Sequence, residues 1–390
     1  MTKIFNIIFS VTVICLVMTS CSNAGKTGDF TLVLSGSMHG QLDPCGWKKN
    51  PMGGLSRRYV KVQELKSQGK NPIILDAGDL LFSTTNLNND NLKSEEFRSN
   101  AIIEGYNKIG CDAINVGKYE LLNGLAFLKD ISKKTDTPFL SANLKSSKKN
   151  ELLFKPYLIL NRGSLSIGII GVTSLLPDSS TLVVADDFIQ AGNAYIDKLS
   201  EITDIIILLV NTDRGSQNDL AENFKDADFI VASGSTNLTR TNAPQKENGP
   251  YVFSCGKQGK YLLTLDANIN DLQSPFVNIS AHQKKIADVN KRFERLQKKN
   301  PNARLEDIYK DQGNVLKLIE QYRVDLKSSE KAISESKNTI VYKTIGLNKK
   351  ITDDPEMLAF VDQSLFTCKA LKPQLESVKK SKAEHSGHDH

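Results

Sequence analysis

Histidine is scarce in this chain, which has five among its 390 residues and only His39 between Phe30 and Ala281. A metal centre built from several imidazoles is therefore excluded over that stretch. The cysteines are few and scattered, so the chain has neither a Cys-x-x-Cys metal site nor the Cys-x-x-Cys-His motif of a c-type haem. The net charge of +6 comes largely from Lys-rich segments after residue 282 and near the C-terminus. No aromatic-plus-basic motif accompanies it, and we expect no nucleic-acid partner.

Residues 1–20 are typical of an export signal and are set aside from the fold. A positive start is followed by an apolar run from Ile4 to Met18, and small residues then precede Cys21. This order favours a bacterial lipobox whose cysteine is lipidated and becomes the mature N-terminus. Residues 21–28 would form the tether, and Ser22, which is not the Asp of inner-membrane retention, favours a periplasm-facing outer-membrane anchor. An ordinary secretory signal, in which Cys21 has no role, is the alternative.

Export places the protein in an oxidising compartment. Once Cys15 in the signal and Cys21 at the lipid site are removed, four cysteines remain: Cys45, Cys111, Cys255 and Cys368. If all four are bridged, three pairings are open, and the sequence does not select among them.

Residues 29–272 alternate short β-rich apolar runs with segments of helical spacing, which predicts an α/β domain. In open α/β sheets, ligand sites form at the carboxyl ends of the strands. Five predicted strands end in polar side chains, so we expect a site where those ends converge. The side chains are Ser35 and His39, Asp76 and Asp79, Lys118 and Glu120, Asn211 and Asp213, and Ser233 and Ser235.

Residues 273–372 are rich in Lys, Glu, Gln and Asn, and we predict a helical accessory region there. Apolar residues from Ile286 to Leu296 and from Val315 to Leu326 recur at steps of three and four, which predicts a helical hairpin or short coiled coil. A strand at Thr339–Thr344 and a short helix are predicted to follow. The tail, residues 373–390, is disordered by composition. Its three histidines form either a weak metal-binding tract or a terminal feature without function.

Five short motifs follow one another between Phe30 and Asn270. They are Gly53-Gly54-Leu55-Ser56-Arg57, Asp76-Ala77-Gly78-Asp79, Ser141-Ala142-Asn143-Leu144, the segment from Ser166 to Thr173, and the segment from Gly256 to Leu262. In order and spacing they resemble the metallophosphoesterase domain of the secreted 5′-nucleotidase family. The resemblance implies a four-layer αββα sandwich and a centre for two divalent cations that activate a water between them.

The resemblance also implies which positions would bind metal, and most of them are replaced. In the family, an Asp and a His of the opening motif, a bridging Asp, the Asn of a Gly-Asn-His-Glu motif and later histidines complete the centre. His39, Asp79 and Glu120 match retained positions. The replacements are Ser37 for the first Asp, Lys118 and Tyr119 for the Asn and His, Asn211 for a later histidine, and Ala232 to Asn237, without histidine, for a Gly-His-x-His motif.

The two retained metal ligands, His39 and Asp79, cannot hold two dications. We therefore infer a degenerate centre in which Lys118 pairs with Asp79 and replaces the missing metal charge. A hydrogen-bonded strand-end role for His39 and a capping role for Asp79 are the alternatives. Tyr119 is a poor general acid because its ordinary pKa is ~10. The predicted function is that of a non-hydrolytic binding, scaffold or redox-associated protein without a cofactor.

A functional phosphoesterase or nucleotidase with a reduced or rearranged metal site is the competing prediction. Its centre would bind Mn, Zn or Fe, and five side chains would have to supply it: His39, Asp79, Glu120, Asn211 and Asp213. The residues after 272 contain few aromatics, so the sequence shows no site there at which a nucleotide base could stack.

Pro44-Cys45-Gly46-Trp47 resembles a branch of exported 5′-nucleotidase-like proteins that carry Cys-Gly-Cys, or selenocysteine in the second place. In this chain the second place holds Trp47, the only tryptophan, either as a true substitution or as a misread selenocysteine codon. Cys45 is then a redox candidate only with Cys111 or Cys255, and a structural cysteine is the alternative. The branch implies multihaem cytochromes as candidate partners in the cell envelope.

Overall fold

A computed structural model describes residues 26–373 except 47–48, 242, 244 and 246–248. The export signal, Cys21, Trp47 and nearly all of the tail therefore lie outside the described residues.

The strands, in chain order, are β1 (Gly28–Ser35), β2 (Ile73–Asp76), β3 (Ala113–Asn115), β4 (Phe139–Leu140), β5 (Leu144–Ser146), β6 (Tyr157–Arg162), β7 (Leu165–Thr173), β8 (Val183–Ala185), β9 (Ile205–Asn211), β10 (Phe229–Ser233), β11 (Tyr251–Ser254), β12 (Tyr261–Ile269), β13 (Phe276–Asn278) and β14 (Asn338–Gly346).

The helices connect these strands and cover the sheets. They are α1 (Leu55–Ser67), α2 (Leu92–Ile109), α3 (Gly124–Ser132), α4 (Phe188–Ser200), α5 (Leu220–Asn223), α6 (Ser280–Gln297), α7 (Leu305–Ile308), α8 (Gly313–Glu335) and α9 (Pro355–Ala370). Over the described ranges, none of the helices has the length and apolar character needed to span a bilayer.

Two β-sheets pack face to face because their strands present apolar side chains on both faces. The larger sheet has the order β13-β14-β12-β1-β2-β3-β4, and the smaller has the order β11-β10-β9-β7-β6. Leu32 and Leu34 of β1 share a fully buried cluster with Ile207 of β9, between the sheets. Val33 lies in a different cluster, because successive side chains of a strand point to opposite faces.

Helices cover the outer face of each sheet. On the larger sheet, Val33 packs with Leu55 of α1 and Ile102 of α2. On the smaller sheet, Ile196 of α4 packs with Leu208 of β9. Helix, sheet, sheet and helix thus form four layers, and the predicted αββα sandwich is confirmed.

The C-terminal region differs from the predicted accessory region at 273–372. The predicted strand is present as β14, but it lies inside the larger sheet, between β13 and β12. It pairs antiparallel with β12 from Tyr261↔Gly346 to Asn268↔Thr339. Helix α9 packs on α2, where the Ser94 hydroxyl donates to the carbonyl oxygen of Cys368 at 2.7 Å. The α/β domain therefore includes β13, β14 and α9, and only residues 280–335 form an added helical unit.

That added unit is the predicted helical hairpin. Val289 on α6 and Ile319 on α8 are buried. The rings of Phe293 and Tyr322 meet edge to face with centroids 5.9 Å apart. The apolar steps of three and four in the sequence correspond to the contact between the two helices.

Candidate functional site

The polar residues that follow several strands do come together at one edge of the two sheets. Ser35 is paired with Asp76 across β1 and β2, and Asn211 with Ser233 across β9 and β10. The two pairs approach each other between the sheets, because the Ser233 hydroxyl donates to the carbonyl oxygen of Ala77 at 2.6 Å. The convergence predicted from the strand ends is therefore present.

Hydrogen bonds within the protein occupy the positions where the resemblance implies metal ligands. The Ser37 hydroxyl accepts from the Gly234 N–H at 3.1 Å. The Asn211 side chain donates to the Ser233 hydroxyl at 2.8 Å and accepts from the Lys118 N–H at 3.1 Å. These groups use one another as donors and acceptors, which is the ordinary way to satisfy buried polar atoms.

Asp79 lies at the centre of this arrangement. It is 2% exposed and adopts a φ of 59°, in the left-handed region. Its Oδ1 accepts from the Tyr119 N–H at 3.0 Å. Burial raises the pKa of Asp79 to about 6, and the Asp76 charge adds to the rise. The N–H groups of Tyr119 and Lys118 and the Asn211 side chain act in the opposite direction.

Lys118 contributes to the site in a different way from the one predicted. No ion pair joins its ammonium group to Asp79 in the described part of the chain. The backbone N–H of Lys118 instead bonds Asn211 and helps to lower the pKa of Asp79. Asp79 is therefore stabilised by backbone dipoles, which cost no side-chain entropy to position, rather than by a replacement cation.

Glu120 is a structural acceptor for the loop that carries Asp79. Its side chain is fully buried. Its Oε1 accepts from the N–H groups of Leu80 at 2.6 Å and Leu81 at 3.2 Å. Its Oε2 accepts from the N–H groups of Gly117 at 2.8 Å and Asp79 at 3.0 Å. With both oxygens facing inward N–H groups, this carboxylate is not available to a ligand.

His39 lies above Asp79, and its ring stacks on the ring of Tyr119 with centroids 4.4 Å apart. Its backbone N–H donates to the carbonyl oxygen of Asp79 at 2.9 Å. Burial, followed by the nearby charge of Lys257, lowers the pKa of His39 to about 4, so its ring is neutral at neutral pH. Burial, followed by Asp79, raises the pKa of Tyr119. A tyrosine whose pKa is raised is a weaker acid still, so it does not replace a catalytic histidine.

The remaining metal candidate, Asp213, bonds its own loop. Its carboxylate accepts from the Gly215 N–H at 2.8 Å and from the Ser216 hydroxyl at 2.7 Å. No cluster of three or more His, Cys, Asp or Glu side chains able to hold a metal occurs among the described residues. A two-metal centre needs more ligands than this donor set supplies, so the residues present do not fit one.

Gln217 is a site residue that the sequence reasoning missed. Its Nε2 donates to the carbonyl oxygen of Ser233 at 2.9 Å. Its Oε1 accepts from the side chains of Ser235 at 2.9 Å and Asn237 at 3.1 Å. Gln217 thus holds the loop from Ser233 to Asn237, where the resemblance implies a Gly-His-x-His motif. A single glutamine in a polar stretch carries no pattern that would have identified it.

Cys45 is half-buried near Lys257 and Lys260, and its thiol points to Gln258 at 3.7 Å. Burial raises the pKa of the Cys45 thiol, and Asp43 adds to the rise. The charges of Lys260 and Lys257 act in the opposite direction. All four cysteines in the described part of the chain are free thiols, so none of the three pairings that the sequence leaves open is formed there. A raised pKa reduces the thiolate fraction on which redox reactivity depends.

The buried carboxyl of Asp79 gives a prediction for pH dependence. As the pH rises from about 4 to about 6, the wild type should lose free energy of unfolding relative to Asp79→Asn. The folded protein holds this proton more tightly than the unfolded chain, since the pKa rises from 3.8 to about 6. Two pKa units correspond to about 3 kcal/mol. Urea denaturation at a series of pH values measures the difference.

Asp90→Asn, at an exposed position, is the matched control and should show no such trend. A free energy of unfolding of the wild type that stays constant or rises relative to that of Asp79→Asn over this pH range would contradict the assignment.

Comparisons with known proteins agree with the four-layer fold. No protein-family model matches the chain. The chain is similar to the 5′-nucleotidase of Bos taurus, with 28% identity over 250 residues, 59% of this chain and 42% of that protein. Its structure is similar to that of the 5′-nucleotidase precursor from Thermus thermophilus, with a TM-score of 0.60 at 17% identity over 88% of this chain and 59% of that chain. It is also similar to the calcineurin-like phosphoesterase YfkN from Bacillus subtilis, with a TM-score of 0.59 at 18% identity over 89% of this chain and 100% of that chain.

The predicted similarity to 5′-nucleotidases and the metallophosphoesterase fold are thus confirmed. The chain spans less than half the length of the curated 5′-nucleotidase relatives of cattle, rat and human that it matches. The resemblance to the selenocysteine-containing branch stays a prediction.

Proposed function

We propose that this protein is an exported binding or scaffold protein that has kept the metallophosphoesterase fold and lost the hydrolytic centre. The observation that carries the proposal is the closed hydrogen-bond network at the carboxyl ends of the strands. Asn211 donates to Ser233, and Ser37 and Ser233 bond the adjacent backbone, at positions where the resemblance implies metal ligands. A catalytic metal site keeps an open position for water or substrate.

The packing around this network supports the proposal. A Cβ placed on Gly117 would lie 2.8 Å from the Asn211 side chain, and one placed on Gly36 would lie 2.9 Å from Ser233. Both distances are below those of real van der Waals contacts. The loops are therefore packed closely on one another at Gly36 and Gly117.

The proposed location is the periplasmic side of the outer membrane, through a lipid on Cys21, and multihaem cytochromes are the proposed class of partner. This part of the proposal comes from the sequence of residues 1–28 and from the resemblance to the exported branch. The redox role of Cys45 belongs to the same proposal. Its raised pKa makes a freely reactive thiol a weaker explanation than a structural one.

The competing function, a phosphoesterase with a reduced metal site, would need His39 and Asp79 to recruit another ligand. The other candidates are committed elsewhere, because Glu120 accepts four N–H groups and Asp213 bonds its own turn. No described contact favours this alternative.

Hydrolysis of a generic aryl phosphate in excess Mn²⁺ tests the proposal. We expect the rate to equal that of buffer with Mn²⁺ alone, and we expect Asp79→Asn to leave it unchanged. Asp90→Asn is the control for a change of one exposed charge. Turnover that is present in the wild type and in Asp90→Asn and disappears in Asp79→Asn would overturn the proposal and restore the enzyme.

A further inference from the structure

The positive charge of the protein is concentrated on helix α6 and its C-terminal extension. Residues 280–299 contain seven Lys and Arg and two acidic residues, so they hold a net charge of +5 out of +6 for the whole chain. All seven basic side chains are exposed. The total net charge does not reveal that the excess of basic residues is concentrated in this one segment.

The spacing of the basic residues places them on one side of the helix. At 100° per residue, Lys284, Lys291, Arg295 and Lys298 lie within about 60° of one another. Lys285, Arg292 and Lys299 extend the same arc to about 140°. Val289, which is buried, and Phe293, which contacts Tyr322 of α8, lie outside this arc, whereas Asp288 lies within it. We refer to the basic side, defined by these seven residues, as the basic face.

Part of the basic face is already balanced within the hairpin. Lys284 pairs with Asp288 at 2.5 Å, and Lys285 pairs with Asp325 at 2.9 Å. The guanidinium group of Arg292 lies over the Tyr322 ring at 5.0 Å.

The Lys299 ammonium lies over the Tyr309 ring at 5.3 Å, which leaves three cations of the basic face. Among the described residues, no carboxylate comes within ion-pair distance of Lys291, Arg295 or Lys298. These three lie in a row that points to solvent, so they are the ones available to an external anion.

We propose that the basic face binds an anionic lipid surface. From Lys284 to Lys298 the row is about 21 Å long. Its cations lie side by side along a rigid helix and do not converge on one point, as they would around a single small anion. A layer of anionic headgroups matches such a row, and each Lys or Arg near it contributes about 1 kcal/mol.

The composition of the basic face favours a lipid surface over a nucleic acid or a protein as its ligand. Phe293 is packed edge to face on Tyr322, and the rings of Tyr322 and Tyr309 are covered by Arg292 and Lys299. None of these rings is therefore open for a nucleic-acid base to stack on. The face also has no large apolar side chain at its centre, which a stable protein interface needs. Headgroup binding requires neither.

Partition of the full chain onto lipid vesicles tests the proposal. Vesicles containing phosphatidylglycerol are compared with vesicles of phosphatidylcholine alone. A lipid on Cys21, if attached, inserts into both kinds, so the ratio of the two partition coefficients isolates the basic face. We expect the ratio for the wild type to be well above one and to fall towards one in high salt.

The variant K291E/R295E/K298E is expected to lower this ratio by roughly a hundredfold, since three cations are reversed and each contributes about fivefold. The matched control is K129E/K148E/K149E, which makes the same charge change at three exposed lysines of the α/β domain. It is expected to keep the ratio within a few fold of the wild type.

Three results would overturn the proposal. They are a wild-type ratio near one, an equal loss in the control variant, and retention on immobilised polyphosphate without a preference for phosphatidylglycerol, which would identify a soluble polyanion as the ligand. The proposed loss of hydrolysis is measured separately, so either proposal can fail without the other.

Discussion

Glu120→Ala is expected to lower the free energy of unfolding by about 3–5 kcal/mol. The substitution leaves the N–H groups of Asp79, Leu80, Leu81 and Gly117 without their acceptor in a fully buried place. Each unpaired buried donor costs about 1–3 kcal/mol, and water entering the cavity recovers part of the sum. Guanidinium chloride denaturation followed by circular dichroism measures the loss.

Two comparisons make this prediction specific. Glu104→Ala removes an exposed glutamate from α2 and should change the free energy of unfolding by less than about 0.5 kcal/mol. Glu120→Gln keeps one acceptor oxygen and should cost less than Glu120→Ala. If Glu120→Ala were as stable as Glu104→Ala, the hydrogen bonds of Glu120 would not stabilise the loop that carries Asp79.

Gly234→Ala is expected to cost about 3 kcal/mol or more. Gly234 has a φ of 88°, and a Cβ there would lie 2.4 Å from the carbonyl oxygen of Thr212 and 2.9 Å from Leu175. The backbone at Gly234 also donates to Ser37, so the strain would open the network that replaces the metal ligands. Thermal and denaturant unfolding both measure the effect.

Gly69→Ala is the matched control for backbone strain. Gly69 has a similar φ of 78°, but a Cβ there would meet nothing within 4 Å. Its cost should therefore be only about 1 kcal/mol, from the left-handed backbone alone. Equal costs at the two positions would show that close packing around Gly234 contributes nothing.

The elements of the fold that depend on local patterns were predictable from the sequence. The polar strand ends predicted at Ser35, Asp76, Asn211 and Ser233 are the last residues of β1, β2, β9 and β10, and helical spacing predicts the hairpin. The insertion of β14 between β13 and β12 was not predictable, because it depends on a pairing between distant segments. The apolar pattern of a strand does not specify its neighbours in a sheet.

At the site, the sequence predicted which residues meet but not how each is used. The identities of Ser37, Asn211 and Ser233, set against the resemblance, predict a degenerate metal centre, and this stays a prediction. The contacts of Lys118 and Glu120 depend on backbone N–H groups, which every residue except proline has and no motif records. The expected Lys118–Asp79 ion pair was therefore a reasonable prediction that the structure replaces with backbone hydrogen bonds.

The central claim is that the centre has lost its metals, and equilibrium dialysis against Mn²⁺ with metal analysis tests it most directly. The protein used carries H385A, H388A and H390A, so that the terminal histidines do not contribute. The account predicts far less than one ion per chain, with no change on adding Asp79→Asn. Close to two ions per chain, lost when Asp79→Asn is added, would contradict it.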